Sequence, residues 1–187
     1  MKALVATRPS TPDDLTIADL PDPEAGPGQA VVRVEAVALN FFDLLIIAGK
    51  YQYKPDFPFS PGAEFAGTVE RLGPGVTGFK PGDRVRIAVP AARLILMPAG
   101  VDANRAAGLI VVYGTSYYAL KQRAGLKPGE TLAVLGASGG VGLAAVELGK
   151  IMGARVIACA SSDDKLDFAR EHGADEGLNY ADTDLRD

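Results

Sequence analysis

The rhythm of apolar and polar positions along this chain changes near residue 100. Before that point, apolar residues alternate with polar ones or gather in short runs. Pro-Gly pairs at 27–28, 61–62, 74–75 and 81–82 separate the runs. Alternation at a period of two belongs to strands with one buried face, and Pro-Gly pairs mark turns. The pattern predicts strands over 2–7, 15–20, 29–39, 67–72 and 83–87, with Val31, Arg33 and Glu35 sharing one face of the third. It also predicts a short helix from Phe41 to Ala48, for which Asn40 is a good N-cap. The first part of the chain therefore reads as a β-rich module.

After residue 100 helices and strands alternate. Helices are predicted over 102–110 and 115–124, the second ended by Gly125 and Lys127-Pro128-Gly129. The apolar run 131–135 is of the kind buried in parallel sheets. A glycine-rich turn follows. The next helix carries Val141, Ala144, Ala145, Leu148, Ile151 and Met152 as its predicted apolar stripe, with Gly153 at the C′ position. A second strand is predicted over 155–160. Ser162 caps a further helix to His172, which Gly173 closes, and a third strand begins near Leu178-Asn179-Tyr180. A βαβα order of this kind implies a parallel sheet with right-handed crossovers.

Composition narrows the function without naming it. The chain has 187 residues, 48 % hydrophobic and 22 % charged, an ordinary soluble balance. No run approaches the ~20 consecutive apolar residues of a membrane span, and residues 1–7 do not form a secretory segment. A cytoplasmic location is the expectation. A net charge of −4 with no basic stripe argues against nucleic acid as a partner. The single cysteine, Cys159, allows neither an intrachain disulfide nor a multi-thiolate metal site. His172, the single histidine, reads as a solvated residue at a helix C-terminus, where the dipole favours it.

The strongest local signal is Gly136-Ala137-Ser138-Gly139-Gly140-Val141-Gly142, between a predicted strand and a predicted helix. A dinucleotide site needs a sharp turn off the strand, no side chain in the path of the pyrophosphate, and a helix N-terminus offering N–H groups. Two spacings fit, Ala137-x-Gly139-x-x-Gly142 and Gly136-x-x-Gly139-x-x-Gly142, and the residues alone do not choose between them. The competing reading is that the glycines serve only a tight turn. No Lys-Ser or Lys-Thr follows the last glycine, so this is not a nucleoside-triphosphate loop. An NAD site carries an acid about 20 residues further on. Here the second strand ends in Ala160, Ser161 and Ser162, with Lys165 one turn beyond. Hydroxyls and an ammonium suit a 2′-phosphate, so the expected cofactor is NADPH. Asp163 and Asp164 carry the wrong sign nearby, and Lys165 has a competing reading as a surface lysine.

Several separated motifs resemble the zinc-free quinone oxidoreductase branch of the medium-chain dehydrogenase/reductase superfamily. They are Asn40-Phe41-Phe42-Asp43 with Gly49-Lys50-Tyr51, Pro61 to Gly67, Phe79-Lys80-Pro81-Gly82-Asp83-Arg84-Val85, Tyr113 to Leu120, Ala124 to Glu130, and the glycine turn itself. The resemblance implies an α/β fold: a GroES-like β-rich catalytic domain over 1–100, linker helices over 101–125, and the N-terminal half of a doubly wound Rossmann domain over 126–187. It places Asn40 and Tyr51 in a substrate cleft, with Thr115 beside them, and adds Tyr180 to the cofactor pocket. Asn40 and Ala63 stand where zinc-dependent relatives carry a cysteine and a histidine, so no metal is expected.

The implied function is NADPH-dependent, zinc-independent hydride transfer to a small-molecule quinone or enone. An enoyl-thioester reductase and a non-catalytic, crystallin-like NADPH-binding protein are the alternatives. A homodimer is expected of the full-length form. Two departures from the family pattern stand out. On the order of ten residues, about a hairpin, are missing near 87–88, which predicts a break between Ile87 and Ala88. The chain also stops at Asp187, with two strands and the start of a third where a doubly wound sheet has ~six.

Overall fold

Short apolar runs between turn residues form antiparallel ribbons in the first part of the chain. The computed structural model describes residues 1–86 and 91–182 and divides into two compact units, Met1–Gly108 and Leu109–Asp187. The expected break between Ile87 and Ala88 lies outside the described residues. In the first unit β1 (Lys2–Val5) pairs antiparallel with β2 (Thr16–Asp19). A second sheet has the order β3-β4-β5-β6, formed by Ala30–Ala38, Glu64–Leu72, Arg84–Arg86 and Ile95–Leu96, antiparallel throughout.

The simple alternation expected along β3 is broken. Its register against β4 shifts between Val31 and Val32 and again between Val34 and Ala36. Glu35 falls in the second shift, and its carboxylate accepts a 2.6 Å bond from the Thr68 hydroxyl. An extra residue of this kind bends a strand and raises its twist. The two stretches of β3 accordingly serve different cores. Val32 packs with Val69, Val85, Ala91 and Leu94. Ala36 and Ala38 pack with Ala66 and with Ala106 and Ala107 of α2 (Ala103–Ala107). The helix predicted over 102–110 is thus shorter than expected, and its Asp102 side chain caps the Arg105 N–H at 3.0 Å.

The second unit opens on a helical segment that includes the helix expected over 115–124, and most of it is π rather than α. Two π-helical turns, Ile110–Gly114 and Tyr118–Arg123, flank a single α turn, α3 (Thr115–Tyr117). The Ala124 N–H reaches back to the Ala119 carbonyl at 2.8 Å, the widened spacing of a π turn. Next come β7 (Thr131–Leu135), α4 (Gly140–Ile151), β8 (Arg155–Ala160), α5 (Asp163–Glu171) and β9 (Glu176–Asn179). The three strands are parallel in the order β7-β8-β9. Gly153 and Gly173, both at positive φ, end the two helices as expected.

The apolar stripe expected on α4 is corrected. Val141 is 45 % exposed and Ile151 80 %. The helix instead meets the sheet through small residues. A Cβ at Gly149 would lie 2.7 Å from Leu132 Cδ2 and 3.0 Å from Val156 Cγ2. Ala145 packs on the same core, whose buried members include Val134, Val146, Val156 and Leu166. Close approach through Gly149 and Ala145 brings Val146 fully inside and turns the bulkier Ile151 away. Among the described residues, no helix is long and apolar enough to cross a membrane.

Candidate functional site

The C-terminal ends of β7, β8 and β9 carry the residues expected to hold a dinucleotide. Leu135 is paired with Cys159 and Ala160 with Asn179, so the three strands finish level with one another. Beyond β7 the chain turns at Gly136, with φ of 67°, a conformation that a side chain disfavours. The Gly136 carbonyl accepts from the Gly139 N–H at 3.0 Å, and the Ala137 N–H donates to the Cys159 carbonyl at 3.1 Å. Ala137 is fully buried. A Cβ at Gly142 would sit 2.2 Å from the Gly136 carbonyl oxygen. The turn and the first turn of α4 can therefore close only if both positions are glycine. That selects the spacing Gly136-x-x-Gly139-x-x-Gly142, while Ala137 is a core residue whose N–H ties the turn to β8.

Gly139 is the N-cap of α4, in extended backbone, and Gly140, Val141 and Gly142 form its first turn. The first N–H groups of a helix lack intrahelical acceptors, and the dipole makes that end attractive to anions. Gly139 and Gly140 are exposed, Ser138 half-buried. With no side chain at Gly139 or Gly140, this helix end is open to an anionic group such as a pyrophosphate.

At the end of β8, Lys165 Nζ donates to Ser161 Oγ at 2.8 Å. Ser162 is the N-cap of α5 in its backbone geometry, though its hydroxyl makes no capping bond. Asp163, one of the two acids that complicated this region, accepts from Asn179 Nδ2 at 3.2 Å. The Tyr180 N–H donates to the Ala160 carbonyl at 3.0 Å, which places Tyr180 beside the end of β8. The structure thus gathers Ser161, Ser162, Lys165 and Tyr180 at one edge of the sheet.

In the first unit, Asn40 caps α1 (Phe41–Ile47) and is held by two buried carboxylates. Its backbone N–H donates to Asp43 Oδ2 at 2.8 Å, and its side-chain Nδ2 donates to Glu64 Oε2 at 3.3 Å. Glu64, the first residue of β4, is 0 % exposed. A carboxylate only accepts, so the amide turns Nδ2 toward it. Capping and a directed polar group are therefore combined in one residue. Tyr51 is half-buried and stacks on Phe42, with ring centroids 5.7 Å apart. In the second unit Thr115 is exposed on α3, next to the buried Ser116, whose hydroxyl donates to the Val141 carbonyl at 2.8 Å.

One cluster escaped the sequence reading. His172 is the C-cap of α5, as expected, but it is engaged rather than merely solvated: its Nδ1 lies 2.6 Å from Glu147 Oε1, and its ring meets Phe168 edge-on at 4.8 Å. The Tyr113 hydroxyl donates to the other oxygen, Glu147 Oε2. Burial pushes the Glu147 carboxyl up, but bonds from Tyr113 and His172 outweigh it and hold it below its ordinary value. The same bond from Glu147's side, with burial, raises the Tyr113 phenol to about 12. Glu147 on α4 and His172 after α5 are far apart in sequence, so no local pattern announces the pair. Cys159, the single thiol, is buried in β8 with its pKa pushed up by burial. Among the described residues, no three His, Cys, Asp or Glu side chains converge in a way that could hold a metal ion.

Comparison with known proteins agrees with this geometry. Residues 26–94 match the alcohol dehydrogenase GroES-like domain family, and residues 140–187 match the zinc-binding dehydrogenase family. The chain is 37 % identical to quinone oxidoreductase-like protein 2 of Rattus norvegicus, over 100 % of its own length and 56 % of the relative's. It resembles the quinone oxidoreductase of Thermus thermophilus, whose structures include a complex with NADPH: TM-score 0.82, 40 % identity, 97 % of this chain and 60 % of that one. It also resembles Escherichia coli quinone oxidoreductase, solved in complex with NADPH, with TM-score 0.93 and 29 % identity over 99 % of this chain and 60 % of that one. The chain thus spans little more than half the length of these relatives. By its two matched domains, its glycine turn and these relatives, the chain belongs to the medium-chain dehydrogenase/reductase superfamily, among its quinone-oxidoreductase-like members.

Proposed function

We propose that this chain binds NADPH and belongs to a reductase that delivers hydride to small-molecule quinones or enones without zinc. The observation that carries the cofactor reading is the Lys165–Ser161 bond at the end of β8, next to a strand end that bears no acid. A 2′-phosphate brings about two negative charges, and an ammonium beside hydroxyl donors matches them. Asp163 is engaged by Asn179, so its carboxylate is not directed solely at the ribose position. The NADPH complexes of the Escherichia coli and Thermus thermophilus relatives support the same reading.

In this reading Gly136 to Gly142 hold the pyrophosphate, with Ala137 anchoring the turn, Ser138 beside it, Gly139 leaving the approach open and Gly140 and Val141 presenting N–H groups. Ser161, Ser162, Lys165 and Tyr180 hold the phosphorylated adenosine end. The bound nicotinamide supplies the hydride. Asn40 and Tyr51 orient the reacting groups, and Thr115 assists. The zinc-independent part rests on the donor set. Asn40 and Ala63 stand at the positions where zinc-dependent relatives carry ligands, Cys159 is a core residue, and His172 is bonded to Glu147. Tetrahedral zinc needs nitrogen and sulfur donors that converge. A cytoplasmic, homodimeric full-length protein completes the proposal.

The test is NADPH oxidation by the full-length protein with a simple quinone, a simple enone and crotonyl thioester, with and without a chelator. Chelator-insensitive turnover with the quinone or enone, faster with NADPH than with NADH, is expected. Turnover confined to the thioester, abolished by chelation, or favouring NADH overturns the corresponding part. Tight NADPH binding without turnover of any acceptor would point to the non-catalytic reading instead.

A further inference from the structure

Glu147 lies about two turns along α4 from the glycine turn and belongs to none of the residues assigned above. Its two oxygens are used separately. Oε2 receives the Tyr113 hydroxyl and Oε1 meets His172. One half-buried carboxylate therefore ties the π turn at 110–114 and the end of α5 to the same helix.

The π turn is what makes this tie bear on the cofactor. Val112, next to Tyr113, closes on the start of α4, where a Cβ at Gly140 would lie 3.2 Å from Val112 Cγ1. Three residues after Tyr113, Ser116 donates to the Val141 carbonyl. The segment 112–116 is thus strapped to α4 at three heights: Val112 at Gly140, Ser116 at Val141, and Tyr113 at Glu147. Gly140 and Val141 form the first turn of the helix, where a pyrophosphate is received. Ser161 and Lys165, by contrast, bond one another in the connection from β8 to α5.

We propose that Glu147 is a positioning residue for the dinucleotide site. Through Tyr113 it fixes the 110–117 segment, and with it Val112 and Thr115, against the pyrophosphate and nicotinamide half of the cofactor, leaving the adenosine half untouched. A phenol-to-carboxylate bond sets the distance of this turn from the neighbouring helix with a strong, directed contact. The second oxygen, held by His172, keeps the carboxylate from rotating away. The proposal rests on the NADPH reading above.

The experiment compares two probes on the purified chain: NADPH, followed by its nicotinamide fluorescence, and adenosine 2′-monophosphate, followed by NMR shift titration. Tyr113→Phe is expected to weaken NADPH about tenfold, the loss of one charge-assisted bond, while the nucleotide monophosphate binds as before. Glu147→Ala should match it, and the double variant should lose no more than either single one. Glu147→Gln should restore most of the affinity, because its carbonyl still accepts from Tyr113. Equal loss of both probes, or no loss of either, in a folded Tyr113→Phe overturns the positioning role. A parent chain that binds neither probe removes the cofactor reading itself, and this inference with it.

Discussion

Lys165 donates its ammonium to the Ser161 hydroxyl at 2.8 Å, spanning one turn at the start of α5. The pair exists before any phosphate arrives, so the ammonium is already turned back toward the end of β8. Replacing Lys165 with alanine should remove a charge-assisted contact of ~1.5–3 kcal/mol, or roughly ten- to a hundredfold in NADPH affinity. NADH affinity should hardly move. The difference should narrow as salt rises, since the contact is exposed and screened. Fluorescence titration of both cofactors at two ionic strengths decides it, and equal loss for both cofactors would show that Lys165 does not read the phosphate.

Asn40→Ala and Tyr51→Phe should separate positioning from stability. Both remove a hydrogen-bonding group and should lower quinone turnover in the full-length protein more than they alter NADPH affinity. Only Asn40→Ala also takes a donor from the buried Glu64. That should lower stability by about 1–3 kcal/mol, whereas Tyr51→Phe keeps its stacking on Phe42. Thermal melts beside steady-state kinetics give the answer. Unchanged turnover in both variants would reduce the two residues to structure.

What the sequence made legible follows a physical divide. β7 and β8 are found where the apolar runs predicted them, but only β8 is buried as expected: in β7 Val134 alone is buried and Leu135 is exposed. The ends of α4 and α5 were legible from Gly153 and Gly173, which only a left-handed turn explains. The π turns flanking Thr115 were not, since an extra residue per turn leaves no mark on residue type. Nor was the face of α4, where Gly149 lets the helix approach Leu132 and Val156 and so overrides the bulk of Ile151. Asn40 with Glu64 and His172 with Glu147 are pairings between distant segments, which periodicity does not encode.

Gly142→Ala tests the cradle. The new methyl would meet the Gly136 carbonyl at 2.2 Å, and both partners are backbone. Overpacking of this kind costs about 1–3 kcal/mol, and the strand-to-helix turn must open to relieve it. Denaturant unfolding should show that loss, together with weakened NADPH binding. A variant as stable as the parent would mean that the turn yields freely.

Acid should act through Asp175. Its carboxylate takes Lys150 Nζ at 2.6 Å and the Val156 N–H at 2.7 Å. The Lys150 bond, then the Val156 bond, hold its carboxyl below the ordinary value of 3.8. A carboxyl lowered on folding contributes stability above its unfolded value, and that contribution is lost as pH falls through the folded one. The melting temperature should therefore fall more steeply below about pH 4 in the parent than in Asp175→Asn. Parallel acid limbs in the two proteins would discard the assignment.

Cys159 turns the dinucleotide edge of the sheet into its own reporter. It is the single thiol of the chain, 4 % exposed, with its acidity suppressed by burial, and its carbonyl is the acceptor for Ala137 in the glycine turn. A thiol reagent reaches so buried a sulfur only when the structure around the end of β8 opens locally. The labelling rate is therefore a stopwatch on a single local opening, free of background from any other sulfhydryl. A ligand seated across the turn should slow that clock in proportion to how tightly it is held.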